Sequence, residues 1–399
     1  MSGPNARRID VAAILGCAAL MLVGWTGLLV PSLIRSIEPA FTQTDAGLGV
    51  FFFVNALAYV VGSMGGGVLT ERFGRRLVLP LATAVIGIGM VGLATVPTWE
   101  LFLAATIPFG IGGGAIDGGI NGLILDLYPA SRGRALNLLH LFFSLGALAS
   151  PLTVGRLLEA GAAWQAIILG TALVTVPLTI LLAVTAMPSG RHVHDPAQDG
   201  ARRVGLALPL VLLAVAIAAY VGSEVGVSNW LVRFLESATV GLATSALALF
   251  WGCLALGRLV SARLGDRFDH ARFASASALA ASAALVAAVL IPSLPASIVL
   301  FGVVGFAYGP VFPLIMAVAG DRYPARAAAV SGFLAGIGVI GAIVYPPVMG
   351  FLSVGIGLGA AMLGAAALAL ACGIALWFAG GWRAVPTVAG TATTDAPAA

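Results

Sequence analysis

Gly67-Val68-Leu69-Thr70-Glu71-Arg72-Phe73-Gly74-Arg75-Arg76 sets a charged, glycine-punctuated turn between two long apolar runs, and the pattern returns 195 residues later. Leu264, Asp266 and Arg267 stand where Leu69, Glu71 and Arg72 would fall. The same offset carries Pro151 to Pro346, Gly155 to Gly350 and Leu157 to Leu352. It is close to half of the 399 residues, so the chain reads as two related halves in tandem. In a membrane protein such halves rock against each other around a site between them.

Composition supplies the membrane. The chain is 60% hydrophobic and only 9% charged, against roughly 25% charged residues in soluble domains, and its mean hydropathy is +1.05. No aqueous fold hides that much apolar surface. A span needs about 20 apolar residues with every backbone group paired, which makes continuous helices the economical solution. The runs predict spans at 11–34, 46–70, 77–97, 101–125, 133–158 and 164–187, then 205–235, 238–264, 273–292, 295–320, 326–353 and 355–379. The fold class is therefore an all-α membrane protein of twelve transmembrane helices in two six-helix halves. Residues 1–187 form the first half, 188–204 a cytoplasmic linker, 205–379 the second half and 380–399 a disordered cytoplasmic tail.

All 20 basic residues are arginine. With both termini cytoplasmic, sixteen of them fall inside, from Arg7 and Arg8 to Arg383, while Arg35, Arg156 and Arg233 lie near the outer ends and Arg258 within a span. The positive-inside rule supports that topology. The net charge of +4 is then a topology signal and gives no reason to expect nucleic acid. The first apolar run is too long for a cleavable signal and is expected to remain as a span. Cys17, Cys253 and Cys372 all fall in apolar helices and read as buried thiols. His192 and His194 belong to the solvated linker.

Function rests on charges that no loop explains. Asp117 and Glu224 are the carboxylates deep inside spans, where such groups usually line a polar cavity or a proton path. Asp117 sits in a glycine run, Gly112 to Gly119, with Asn121 one turn away on the same face. Tyr220, Glu224 and Ser228 recur every four residues as a polar stripe. Asn137, His140 and Ser144 form another. Each has a plainer reading: Asp117 as a structural hydrogen bond, Glu224 as a partner for Arg258, His140 as a packing residue. Trp25, Trp230 and Trp251 read as interface anchors, with Trp230 nearest the Glu224 face and so also a candidate substrate contact, as is Trp25.

The turn resembles the signature of the major facilitator superfamily between helices 2 and 3, matched at Gly67, Leu69, Arg72, Gly74, Arg75 and Arg76, with Glu71 in the acidic position. A weaker copy follows helix 8, at Gly257, Arg258, Leu264, Asp266 and Arg267, with Ala262 replacing its glycine. The resemblance implies that fold and a cytoplasmic gate made of Gly67, Glu71, Arg72, Gly74, Arg75, Arg76, Arg258, Asp266 and Arg267. The alternative is charge that sets topology alone.

Within the superfamily, several segments look like the fucose-galactose-glucose proton symporter family. They are Asp117 with Asn121, the run Asn137 to Phe143 with Gly146 and Pro151, Tyr220 to Gly226, and Gly309-Pro310-Val311-Phe312-Pro313. By that resemblance Asp117 is the proton-coupling carboxylate and Asn121 a substrate contact. The family's second acid, in helix 1, is missing: Val11 to Ile34 has no carboxylate and offers Trp25 and Thr26. Glu224 is the candidate to take over that role.

Three function classes follow. A proton-coupled symporter of a sugar or similar neutral solute fits one or two acids among amides and hydroxyls. A proton-coupled drug or metabolite exporter is the alternative, although Ser150-Pro151 stands where exporter signatures have Gly-Pro. An intramembrane aspartyl protease would need an Asp partner for Asp117, and Asp266 is in a loop. Without lysine there is no phosphate-binding Gly-x-x-x-x-Gly-Lys loop, which argues against an ATP-driven pump. The expectation is a monomeric, non-enzymatic secondary transporter in the cell membrane, without cofactor. Its partners would be a small-molecule substrate, protons (or sodium) and the lipid bilayer.

Overall fold

The computed structural model of the chain describes residues 4–128, 132–187, 208–264, 267–323 and 326–381; of residues 4–10, 132–134, 137 and 327–329 it describes the backbone alone. The expected linker and almost all of the expected tail lie outside the described residues, as does Asp266. The first seven helices are α1 (Pro4–Gly27), α2 (Leu29–Ala40), α3 (Asp45–Phe73), α4 (Arg75–Thr95), α5 (Trp99–Leu127), α6 (Arg132–Glu159) and α7 (Trp164–Val184). The second set is α8 (Leu208–Phe234), α9 (Val240–Leu264), α10 (His270–Leu290), α11 (Leu294–Tyr308), α12 (Val311–Arg322), α13 (Ala327–Ile356) and α14 (Leu358–Gly380).

These make twelve apolar spans, because two spans are broken in the middle. The first runs to Ala40, beyond the expected Ile34, as α1 and α2. Pro31 has no N–H for the Gly27 carbonyl and its ring crowds that group, which interrupts the ladder at Leu28. The tenth span breaks at Gly309-Pro310 for the same reason, since Pro310 leaves the Phe306 carbonyl to the Gly309 N–H at 3.3 Å. The signature turn is tight because Gly74, at φ +85°, ends α3 and starts α4 in one residue.

The repeat seen in sequence is a repeat of packing. In the first half α1 packs on α6 and α4 on α7; in the second, α8 packs on α13 and α10 on α14. Between halves, α3 meets α13 and α6 meets α9, an exchange of equivalent helices. Outward faces carry exposed Leu173, Val176 and Ile180, as lipid contact requires, while Ser223, Tyr308 and Thr106 are buried. Ser223 shows how polar groups are satisfied there: its hydroxyl pairs with Tyr308 Oη at 2.5 Å and lies 2.6 Å from the Ala365 carbonyl.

The halves touch towards the end of the α2–α3 and α8–α9 connections. There, methyl groups at Gly49 and Gly350 would collide with Pro347 and Asp45 across the interface. At the opposite end, Gly65 and Gly67 of α3 and Gly332 and Gly336 of α13 have nothing within 4 Å of where a Cβ would stand. The bundle is thus sealed at one end and parted at the other, where α1 starts and α14 ends.

Candidate functional site

The glycine run of α5 exists for contact with α3. A methyl group at Gly114 would strike the Tyr59 carbonyl and one at Gly118 the Ser63 carbonyl, so the backbones touch only because both lack Cβ. That approach sets the Tyr59 hydroxyl facing Asp117. Asn121 donates from Nδ2 to Asp117 Oδ1 at 2.8 Å and to the Asp117 carbonyl at 2.9 Å. Asp117 lies mid-helix in α5 and is half-buried. His140 of α6 is within electrostatic reach of Asp117. The Asn137 side chain lies outside the described residues.

The second half answers with its own charges. Glu224 of α8 is 7% exposed, and Arg258 Nη2 of α9 stands 4.0 Å from its Oε1. The buried Tyr220 hydroxyl faces both. Arg258, which the resemblance put in the cytoplasmic gate and the plainer reading made a partner for Glu224, stands beside Glu224, and His140 is within electrostatic reach of it. A row of polar groups, Tyr59, Asp117, His140, Arg258, Glu224 and Tyr220, therefore bridges the two halves. It is a half-specific row: the 195-residue offset carries Asp117 to Phe312 and Arg258 back to Ser63. Ser228 is engaged elsewhere, accepting from Trp251 Nε1 at 2.8 Å.

Both candidate tryptophans point away from this row. Trp230 is fully buried, donates to the Pro346 carbonyl at 2.8 Å and sits edge-on to Phe52 at 5.5 Å, as part of the seal. Trp25 donates to Thr171 Oγ1 at 3.3 Å beside a membrane-facing groove between α1 and α7.

The seal is locked by charge that sequence reading overlooked. Arg233 of α8 meets Glu38 at 3.0 Å and Asp45 at 3.1 Å from the other half, and pairs with Glu236 of its own half. Asp45 also accepts from Ser353 at 2.7 Å, and Arg35 donates to the Ala238 carbonyl at 2.9 Å. Arg233 was legible as an outer arginine; its partners Glu38 and Asp45 were not, because they lie nearly 200 residues away in the other half.

At the parted end, the signature residues divide. Arg75 is 3% exposed and bound to Asp126 of α5 at 2.5 Å, and Arg76 donates to the Ala183 carbonyl at 3.3 Å. Glu71, Arg72 and Arg267 are exposed, Gly67 faces open space, and the Gly74 turn holds the geometry. Asp126 was also overlooked, though the repeat contained the signal. The offset of 195 carries Arg75 to His270 and Asp126 to Asp321, and His270 Nδ1 lies 2.8 Å from Asp321 Oδ2. Both halves thus fasten the same two helix ends. Removing one partner of a buried pair strands the other, so Arg75→Ala is expected to cost about 3 kcal/mol. The check is a thermal melt of detergent-purified protein; an unchanged midpoint would make the pair dispensable.

Comparison with known proteins agrees with this architecture. The model of the Major Facilitator Superfamily matches residues 12–237 and again 204–397. A glucose/galactose transporter of Brucella abortus biovar 1 (strain 9-941) is 28% identical over 360 residues, 84% of this chain and 85% of its own. The enterobactin exporter EntS of Citrobacter koseri (strain ATCC BAA-895 / CDC 4225-83 / SGSC4696) is 30% identical over 65% of this chain and 64% of its own. Among solved structures, a bacterial homologue of the human lysosomal transporter Spinster, captured inward-facing and occupied, superposes with a TM-score of 0.80 at 16% identity. That match covers 95% of this chain and 97% of the other.

Proposed function

Since the chain belongs to the Major Facilitator Superfamily and is a multi-pass membrane transporter rather than an enzyme, we propose that it is a proton-coupled symporter of a small neutral polar solute, with sugars the favoured class. The observation that carries this is Asp117: a half-buried carboxylate deep in the bundle, flanked by Tyr59, Asn121 and His140. In such a place the carboxylate holds a proton at little cost and releases it when the opening admits water. Burial of an ion is expensive, so the protonated form is the one that favours an occluded bundle. Alternate opening of the two ends then delivers the proton from one side to the other, and substrate with it.

The arginine distribution supports a parted end that faces the cytoplasm. On that orientation the state described is inward-facing. Glu71 and Arg72 belong to the latch that closes this end, where Gly65 and Gly67 would meet Gly332 and Gly336. The Brucella glucose/galactose transporter supports the sugar class. The exporter relative favours a second reading, proton-coupled efflux.

Flux decides between them. Proteoliposomes with an alkaline interior and labelled D-galactose or D-glucose outside should accumulate the sugar if the protein is a symporter. Proton-driven movement of sugar against the proton flow would make it an antiporter, and no sugar flux in either direction would overturn the sugar class. Glu224→Gln tests the second acid. Its pairing with Arg258 organises the second half's face, so binding should weaken about tenfold, or 1.4 kcal/mol, while a pH gradient still drives residual accumulation. Loss of accumulation with unweakened binding would instead assign Glu224 to the proton path.

A further inference from the structure

The charge lock of the seal is built on one position of the repeat. The 195-residue offset carries Glu38 to Arg233, so the same site holds an acid in the first half and a guanidinium in the second. Halves related by an axis along the membrane normal bring equivalent residues near that axis face to face, and here opposite charges meet. Arg233 Nε lies 3.0 Å from Glu38 Oε2 and 3.1 Å from Asp45 Oδ1, so one nitrogen bridges two carboxylates of the first half.

Those two acids are held together independently of Arg233. Between them the chain turns tightly: the Gln43 N–H donates to the Glu38 carbonyl at 2.9 Å, Thr42 takes a φ of +50°, and Thr44 caps α3 by accepting from the Gly47 N–H at 3.4 Å. A β-branched residue at positive φ persists only where its surroundings over-determine it. Phe41 supplies that support, packed on Phe102 at 5.1 Å and on Trp99 at 5.7 Å. The groups facing the pair are Arg233, Glu236 and the Ser353 hydroxyl from the second half and Arg35 from α2, whose guanidinium is engaged by the Ala238 and Glu236 carbonyls. Glu38, Arg233 and Glu236 line a vestibule of about 530 Å³, and the Glu38 side chain is partly exposed, so the outer medium reaches the pair.

We propose that the seal is a proton-operated latch: Glu38 and Asp45 hold Arg233 while the outer end is closed and share a proton from the outer medium once it is open. A guanidinium between two fixed carboxylates favours both charges; without it, like charges side by side disfavour double ionisation. The closed seal therefore binds fewer protons, and a falling outside pH shifts the balance towards opening. The latch rests on the inward-facing orientation proposed above and gives the symporter a trigger, since the outside proton opens the side from which solute enters.

Spin labels at Ala160→Cys and Ser293→Cys, with Cys17, Cys253 and Cys372 replaced by alanine, report the outer distance in reconstituted protein. The protein also carries Asp117→Asn, so that the central acid does not titrate. As the pH falls from about 8 to about 5, the ratio of open to closed populations should rise at least about fivefold, and at most about tenfold per unit for one proton. Adding Glu38→Gln and Asp45→Asn should abolish this dependence and leave the seal weakened at every pH. Should that variant lose its melting transition, Glu38→Gln alone should flatten the response, because the like charge beside Asp45 is gone. A pH response that these substitutions leave unaltered, or none at all in the Asp117→Asn protein, would overturn the latch and leave the symporter to be judged by uptake. Absence of sugar uptake by wild type, with the pH response intact, would overturn the symporter and leave the latch.

Discussion

Asp117→Asn is expected to bind and exchange substrate but to lose concentrative uptake altogether. Asn keeps the shape and can still meet Asn121 and Tyr59, so the α3–α5 contact survives. What it cannot do is carry a proton. With one proton per cycle, a gradient of one pH unit supports about a tenfold concentration ratio, equal to about 1.4 kcal/mol. In the variant that ratio should collapse to passive equilibration, whereas counterflow, which needs no net proton movement, should persist. The measurement is labelled-sugar uptake in proteoliposomes with and without an imposed gradient. Wild-type accumulation by Asp117→Asn would remove this residue from coupling and leave Glu224 or His140 as the titrating group.

Arg233→Ala should shift the protein towards its outward-open form. The guanidinium is the common partner of Glu38, Asp45 and Glu236, and two of those acids belong to the opposite half. Without it, three carboxylates face one another at the outer ends and repel. A fully buried pair would cost 3–5 kcal/mol to break, but these side chains are partly exposed and screened. We therefore expect about 2 kcal/mol, or about a thirtyfold change in the ratio of the two states. Arg233→Lys should restore only part of it, since an ammonium lacks the fork that engages several acids. Spin labels at Ala160→Cys and Ser293→Cys, near outer helix ends of different halves, would report the change as a longer distance. An unaltered distance distribution would mean that Trp230, Phe52 and the Gly49–Gly350 contact hold the seal alone.

The sequence by itself determined the solvent, the spans and the repeat. Apolar runs of about 20 residues admit one backbone solution in lipid, and a 195-residue offset of glycine, proline and arginine has no source but duplication. It also pointed to Asp117, because an intramembrane carboxylate is too costly to be accidental, and to Asn121, because one helical turn is a local distance. Tertiary structure alone decided the partners that come from distant segments. Tyr59 reaches Asp117 only through a glycine contact between α3 and α5, and the choice between gate and Glu224 for Arg258, both open in the sequence, fell to Glu224. Trp230 looked like a ligand contact from its position near Glu224, yet its indole is spent on the Pro346 carbonyl in the seal. The locks follow the same rule: Arg233 gathers Glu38 and Asp45 from the opposite half, and Asp126 finds Arg75 across 51 residues. Helical periodicity reveals which residues share a face, but which faces meet depends on close packing of small residues across helices. Composition and spacing carry no record of that.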